Sequence, residues 1–312
     1  MPSNETTLFI FFNLFILGLL ALDLGVFHRK AHAVSVREAA IWSIVWVTLS
    51  LLFNAGVFVV AGPTAGLEFL AGYLIEKALS VDNIFVFLVI FSYFGIPGQY
   101  QHKVLFWGVI GALIMRSIFI ALGATLIARF EWILYIFGVV LIVSGWKMMF
   151  HEEVEVHPDK NIFIRMARRI FPVAQVHESD RFFIREGKKI LITPLLLVLI
   201  TVETTDIVFA VDSIPAVFGV TRDPFIVYSS NVFAILGLRA LYFLLAGMMD
   251  SFFYLSHGLS IVLMFIGAKM LLEGFIHVPI GISLLVVAAI LGVSIVMSVT
   301  RNKRIASEMK EK

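Results

Sequence analysis

The sequence predicts an all-α polytopic membrane protein, because its composition is far from that of a water-soluble domain. Of the 312 residues, 60% are hydrophobic and only 15% are charged, whereas soluble domains contain about 25% charged residues. Mean hydropathy is +0.97. The apolar residues form continuous runs rather than alternating with polar ones, which favours helices over the strands of an outer-membrane barrel. This composition excludes a soluble enzyme and argues against a nucleic-acid partner.

Apolar runs of spanning length divide the chain, since a transmembrane helix needs about 20 mainly apolar residues. We predict about nine transmembrane helices, and we interpret the first as a retained helix because its apolar run is longer than a signal-peptide core. The predicted spans are residues 8–27, 40–60, 68–94, 104–127, 130–150, 191–217, 225–249, 257–275 and 279–299.

The distribution of Lys and Arg predicts the orientation of these helices. With nine spans, the connections on one side contain only Arg129 and Arg222, and all other basic residues of the connections fall on the opposite side. Basic connections remain in the cytosol. We therefore expect a periplasmic N-terminus and a cytosolic C-terminus.

An internal repeat relates two parts of the chain. Each predicted unit contains three spans, an odd number, so the second unit enters the membrane from the opposite side. This inverted three-plus-three arrangement is typical of secondary transporters, which bind their ligand near the midplane between the units. The matching blocks are 76–83 with 206–213, 113–119 with 236–242, and 145–148 with 267–270.

The repeat divides the chain into five regions. Within the long connection, residues 161–171 place apolar side chains on one helical face and arginines on another, which is typical of an interfacial helix or of a simple positive-inside anchor. The regions are two N-terminal helices (1–66), repeat 1 (67–150), a cytosolic connection with an amphipathic helix (151–190), inverted repeat 2 (191–276), and the last helix with a basic cytosolic tail (277–312).

Acidic residues in the third and sixth spans are the main candidates for chemistry. A carboxylate near a helix centre costs at least about 2.5–3.5 kcal/mol, so these groups need protein partners, water or a cation. The chain has no Cys, and oxygen ligands suit Mg²⁺, Ca²⁺ or Mn²⁺. The predicted metal ligands are Glu76, Asp82, Asn83, Glu203, Asp206 and Asp212.

Other polar residues in the spans have auxiliary roles in this hypothesis. Hydroxyl groups are possible additional ligands, and the basic residues would balance the charge of an empty site. These residues are Ser80, Ser213, Arg116, Arg239, Lys147, Lys269 and, as a weaker candidate in the first helix, Asp23. A purely electrostatic core, in which these cations and Lys77 pair with the acids, and a proton relay remain open alternatives.

Helical geometry limits how these residues can converge. Glu76, Ser80 and Asn83 share one face, whereas Asp82 points about 120° away from Glu76, and Asp212 is displaced equally from Asp206. A single straight face therefore cannot collect all the acids. Pro215 favours a kink or break shortly after Asp212.

Three long motifs are similar to those of a known family. Residues 73–85, 202–216 and 230–243 resemble the TerC family of integral membrane proteins, in particular a branch described as membrane-bound redox modulators. The resemblance implies a bacterial inner-membrane protein linked to manganese export, in a family associated with tellurium resistance and alkaline-pH induction. It also implies that the acidic positions of the first two motifs form the functional site.

The sequence and the resemblance together predict a transporter rather than an enzyme, with Mn²⁺ as the exported ion and no tightly bound cofactor. The direction of transport rests on the resemblance alone. Two alternatives stay open: a redox modulator that acts indirectly, and an accessory factor that delivers metal to secreted proteins. The expected partners are the metal ion, the lipid bilayer, and either the secretion machinery or a second copy of the chain.

Overall fold

The computed structural model describes residues 4–27, 35–150, 162–174, 180–186, 189–246, 253–276 and 278–310. This part of the chain is a helical bundle with one two-stranded antiparallel hairpin. The elements are α1 (Asn4–Phe27), α2 (Val36–Ala61), α3 (Pro63–Tyr93), α4 (Gly98–Arg129), α5 (Ile133–Phe150), α6 (Ile162–Ile170), β1 (Phe183–Glu186), β2 (Lys189–Ile192), α7 (Pro194–Phe218), α8 (Pro224–Leu236), α9 (Leu238–Ala246), α10 (Leu255–Leu272) and α11 (Ile280–Lys310).

Helix boundaries follow local sequence signals. The Ser35 hydroxyl caps α2 by accepting the Glu38 backbone N–H, and the Asp223 carboxylate caps α8. Prolines occupy the first positions of α3, α7 and α8, where the missing N–H has no helical partner to lose. Gly62, with φ of 93°, makes the tight turn between α2 and α3 possible.

The lengths and apolar character of the helices support the predicted membrane class. Among the described residues, six helices are long and apolar enough to cross a bilayer, and α8 and α9, joined with a 42° bend, would form a seventh. The apolar part of α1 is shorter, and α3 contains Glu76, Lys77 and Asp82. The all-α polytopic fold is confirmed, whereas the exact number of spans and the inverted repeat stay predictions.

Four helices form the centre of the bundle. α3 packs against α7 and α8, and α4 packs against α7 and α8. Outside this centre, α5 and α10 approach closely at Gly138 with Gly267, and at Gly145 with Ser260. Small residues at such contacts allow helix backbones to meet within a membrane.

One local expectation was not met, and one element was not foreseen. α7 continues through Pro215 and ends at Phe218, so the predicted break is wrong. Pro215 lies in the last turn, so its nitrogen cannot donate to the Val211 carbonyl, but only three residues follow before the helix ends at Phe218. The interruption instead occurs at Gly237, between α8 and α9. The β1–β2 hairpin was not predicted.

The hairpin and α6 pack together at one end of the bundle, which we call the α6 end. Ile164 of α6, Ile192 of β2 and Leu197 of α7 form a small buried cluster. The C-terminus of α3 and the N-terminus of α4 lie at the same end, since Phe94 packs on this cluster and Lys103 donates to the Asp180 carbonyl. The other end, which contains Gly219, is called the Gly219 end.

Candidate cation site

Arg116 of α4 is the centre of a buried polar cluster. Its Nη1 donates to Glu76 Oε1 of α3. Its Nη2 and Nε donate to the two carboxylate oxygens of Asp206 of α7, at 3.2 and 3.4 Å. Only 2% of Arg116 is exposed. A planar guanidinium suits this arrangement, because it can bind one carboxylate with two donors and still reach another.

Two neutral oxygen groups complete the cluster. Arg116 Nη1 lies 3.3 Å from Ser213 Oγ and 3.1 Å from Asn231 Oδ1. Asn231 comes from α8 and is held by its own bond from Nδ2 to the Val227 carbonyl, at 3.0 Å. We call Arg116, Glu76, Asp206, Ser213 and Asn231 the Arg116 cluster.

Asn231 was absent from the predicted site residues. Its signal in the sequence is an amide within α8, inside one of the three motifs that resemble those of the TerC family. Its spacing from the acidic residues gave no reason to place it with them, since it comes from a different helix.

The cluster can accept additional positive charge. With both carboxylates ionised it contains two negative groups and one positive group, a formal excess of one negative charge. Glu76 is completely buried, and its Oε2 has no hydrogen-bond partner among the described residues. A buried polar atom without a partner is costly. In the ionised form, the cluster therefore has an excess negative charge and a carboxylate oxygen that either a metal ion or a proton would satisfy.

Glu203 lies beside this cluster, on the side of the α6 end. Glu203, Asp206 and Arg239 line a cavity with Gly108, and the cavity has room for about one water molecule, roughly 10 Å³. The Glu203 carboxylate rests on Gly111, where any side chain would overlap it. Arg239 is also buried, so the predicted basic residue is next to the acids.

Asp212 and Asp82 lie outside the Arg116 cluster. The Ser144 hydroxyl of α5 donates to Asp212 Oδ1 at 2.6 Å, and Lys147 is near enough to interact electrostatically. Asp82 interacts with Ser256 of α10. Both carboxylates are half-buried, so each lies against the α5–α10 side of the bundle rather than in its centre.

The remaining predicted residues are distributed as follows. Ser80 and Asn83 are buried, as is Glu76 on the same helix. Lys269 lies at the Gly219 end, where its Nζ donates to the Gly219 carbonyl at 3.3 Å. The side chain of Asp23 lies outside the described residues.

Lys269 also lines a larger polar cavity of about 320 Å³ at the Gly219 end. Thr221 Oγ1 donates to Glu68 at 2.6 Å, and Arg222 pairs with Glu273 at 3.0 Å. The cavity walls therefore contain two acids and two bases, with the ends of α3, α7 and α10 around them.

The structure thus separates the predicted acids into three places. Glu76 and Asp206 meet at Arg116, Glu203 lies in the adjacent small cavity, and Asp82 and Asp212 contact serines of other helices. No group of three or more His, Asp or Glu residues is arranged for a metal within the described ranges. The best-formed candidate is therefore the Arg116 cluster.

A bundle of apolar helices around a buried cluster of opposite charges defines a polytopic membrane protein. A family model described as "Integral membrane protein TerC family" matches residues 61–306. The chain belongs to the TerC family.

Named relatives resemble the chain over nearly its full length. An "Uncharacterized membrane protein STKORF319" from Myxococcus xanthus is 52% identical over 93% of this chain and 91% of its own length. "Putative membrane-bound redox modulator Alx" from Escherichia coli K12 is 50% identical over 92% of both chains. The protein of that name from Photorhabdus laumondii is 48% identical over 93% of both. No solved structure matches the chain significantly.

Proposed function

We propose that the chain exports Mn²⁺ across the bacterial inner membrane through the Arg116 cluster. The observation that carries this proposal is the completely buried Glu76 carboxylate beside the second carboxylate of Asp206. In the part of the chain that the structure describes, no group hydrogen-bonds to Glu76 Oε2. Two carboxylates with the oxygens of Ser213 and Asn231 are a hard donor set, which suits Mn²⁺ and excludes soft ligation by sulfur.

Arg116 acts as the resident counter-ion in this mechanism. Its guanidinium binds Glu76 and Asp206, and its charge cannot be removed by deprotonation. A divalent ion that binds both carboxylates must therefore displace the guanidinium from at least one of them. Ion release lets Arg116 return, which keeps the carboxylates paired at each stage and avoids the cost of isolated buried charges.

Two cavities on opposite sides of the cluster support a route for the ion. Glu203 and Arg239 line the small cavity toward the α6 end, whereas Glu68 and Lys269 line the larger cavity at the Gly219 end. In the proposed orientation the α6 end faces the cytosol and the Gly219 end faces the periplasm, in accordance with the positive-inside rule. Export then runs from Glu203, through the Arg116 cluster, to Glu68.

The five-carboxylate ligand set expected from the sequence becomes, in this proposal, a path rather than one coordination shell. Glu76 and Asp206 bind the ion, and Glu203 receives it. Asp82, Asp212, Asn83 and Ser80 are placed beside the path, where they would act during the movement of one predicted repeat against the other.

Transport in a reconstituted system tests this function. Purified protein is reconstituted in vesicles. In vesicles where its cytosolic side faces outward, export appears as Mn²⁺ entry, which a trapped metal-sensitive dye follows. Glu76→Gln should abolish transport, because the amide removes one ligand charge. Glu131→Gln, at an exposed acid, is the matched control and should transport as wild type does. Equal Mn²⁺ entry with wild type, Glu76→Gln and empty vesicles would refute the proposal.

The name of the relatives motivates a second role. The sequence contains no Cys, so thiol redox chemistry is not available to this chain. An effect on cellular redox state would instead follow from the manganese supply. A redox phenotype that persists in cells with Glu76→Gln would separate this role from transport and favour a different activity.

A further inference from the structure

The short helix α6 has three different faces, one of which packs against β2 and α7. Ile164 and the half-buried Ala167 pack toward β2 and α7. Ile162, Met166 and Ile170 form an apolar face that is exposed by 66%, 54% and 61%. The three arginines of α6, at 165, 168 and 169, lie on the remaining side. At 100° per residue these faces are about 120° apart.

The exposed apolar face continues beyond the helix. Phe163 adds to it within α6, and Phe171 follows the last turn. The Phe171 ring contacts the ring of Phe183 in β1, with centroids 6.5 Å apart. Contiguous exposed apolar surface of this kind marks a binding surface in a soluble protein or contact with lipid in a membrane protein.

The position of α6 relative to α7 identifies the occupant. Ile164 contacts Leu197, which is three residues after the first residue of α7 and so only about 4.5 Å along the helix axis. α6 therefore lies level with the end of a spanning helix, where acyl chains meet headgroups. Its amphipathic pattern, with arginines beside bulky apolar residues, is that of helices that lie in this interface.

We propose that α6 and the adjacent Phe171 and Phe183 form a binding site for anionic phospholipid on the cytosolic leaflet. The apolar face contacts the acyl chains, and Arg165 and Arg169 bind the headgroup phosphate. Because Ile164 joins α6 to the first turn of α7, the lipid also positions the helix that contains Glu203 and Asp206. Lipid binding is independent of the proposed function, whereas its effect on transport rests on it.

Site-specific fluorescence can test lipid binding directly, because the chain has no Cys of its own. The full-length Met166→Cys variant is labelled with a fluorophore and reconstituted in mixed phosphatidylcholine and phosphatidylglycerol vesicles. Either phosphatidylglycerol or phosphatidylcholine has brominated acyl chains, which quench nearby fluorophores. At equal mole fraction of brominated lipid, brominated phosphatidylglycerol should quench the label more strongly than brominated phosphatidylcholine.

Neutral variants show whether the arginines select the lipid. A basic residue near an anionic surface strengthens association about fivefold, so R165Q combined with R169Q should remove the preference for phosphatidylglycerol. These side chains are exposed, and the fold should be retained. R129Q, at an exposed arginine of the Gly219 end, is the control and should keep the preference.

Each other outcome overturns the lipid site. Equal quenching by both lipids would indicate a non-selective apolar contact with the bilayer. No quenching by either lipid would indicate that a protein surface, rather than lipid, covers this face of α6. Mn²⁺ entry measured in the same vesicles separates the two proposals. Transport that fails in every lipid while selective quenching persists would refute the transport function alone.

Discussion

Asp206 and Asp212 lie six residues apart on α7 but have different surroundings. Asp206 is 5% exposed and binds two donors of Arg116. Asp212 is half-buried and accepts a hydrogen bond from the neutral Ser144 hydroxyl. Six helical residues rotate through about 600°, so the two acids face different neighbours. The comparison shows that position relative to α4, rather than residue type, decides which carboxylate belongs to the central cluster.

The largest expected effect comes from removing the resident counter-ion. Arg116→Ala leaves Glu76 and Asp206 buried without a compensating charge, which should destabilise the fold by about 3–5 kcal/mol. Thermal unfolding in detergent measures the loss. Adding Glu76→Gln and Asp206→Asn to Arg116→Ala should restore much of the stability, because no buried charge remains. A fully stable Arg116→Ala protein would contradict the assigned ion pairs.

Asp206→Asn should affect transport much more than stability. Arg116 and Glu76 would then form a pair of opposite charges, so the fold stays compensated. Loss of a direct carboxylate ligand should weaken Mn²⁺ binding at least about tenfold. Even residues that only hydrogen-bond to metal ligands contribute about 10–100-fold to metal affinity. Transport measured across Mn²⁺ concentrations would show the change. Unchanged Mn²⁺ dependence would remove Asp206 from the binding site.

Gly111→Ala tests the route on the α6 side of the cluster. A methyl group at this position would overlap the Glu203 carboxylate and push this flexible side chain away, so transport should fall while the unfolding temperature changes little. Gly56→Ala is the matched control, because a methyl group there meets no atom within 4 Å. Equal transport by both variants would argue against a role for the Glu203 position.

Asp212→Asn should have the smallest effect. The amide oxygen can still accept the Ser144 hydrogen bond, so the change in stability should stay within about 1.5 kcal/mol, the net value of one hydrogen bond. Transport should fall less than with Asp206→Asn, as measured in the same vesicles. A larger loss for Asp212→Asn would reverse the order of the two acids and place the binding site near α5.

Much of the fold could be predicted from the sequence, because apolar length and helical period act locally. The length of the apolar runs predicted the all-α class, and the helical period predicted that Glu76, Ser80 and Asn83 share a face. The continuous helix at Pro215 could not be foreseen from that residue alone, since the effect of a proline depends on whether the helix ends in the next turn. The hairpin was missed because its strands are only four residues each.

The candidate site was harder to predict, because it depends on how separate helices pack. From the sequence, Glu76, Asp206, Arg116 and Ser213 were predicted as site residues. All five acids, however, were predicted as metal ligands. Only the packing of α3, α4, α7 and α8 brings Asn231 to Arg116 and leaves Asp82 and Asp212 at other contacts. Residue spacing within one helix contains no information about these neighbours.

Direct binding of Mn²⁺ to purified protein tests the central claim, that Glu76 and Asp206 form the cation site. Electron paramagnetic resonance of free Mn²⁺ during titration gives the bound amount for wild type, Asp206→Asn and Glu131→Gln. We expect one saturable site in wild type and Glu131→Gln, and its loss or at least about tenfold weakening in Asp206→Asn. Equal Mn²⁺ binding by all three proteins would contradict the account.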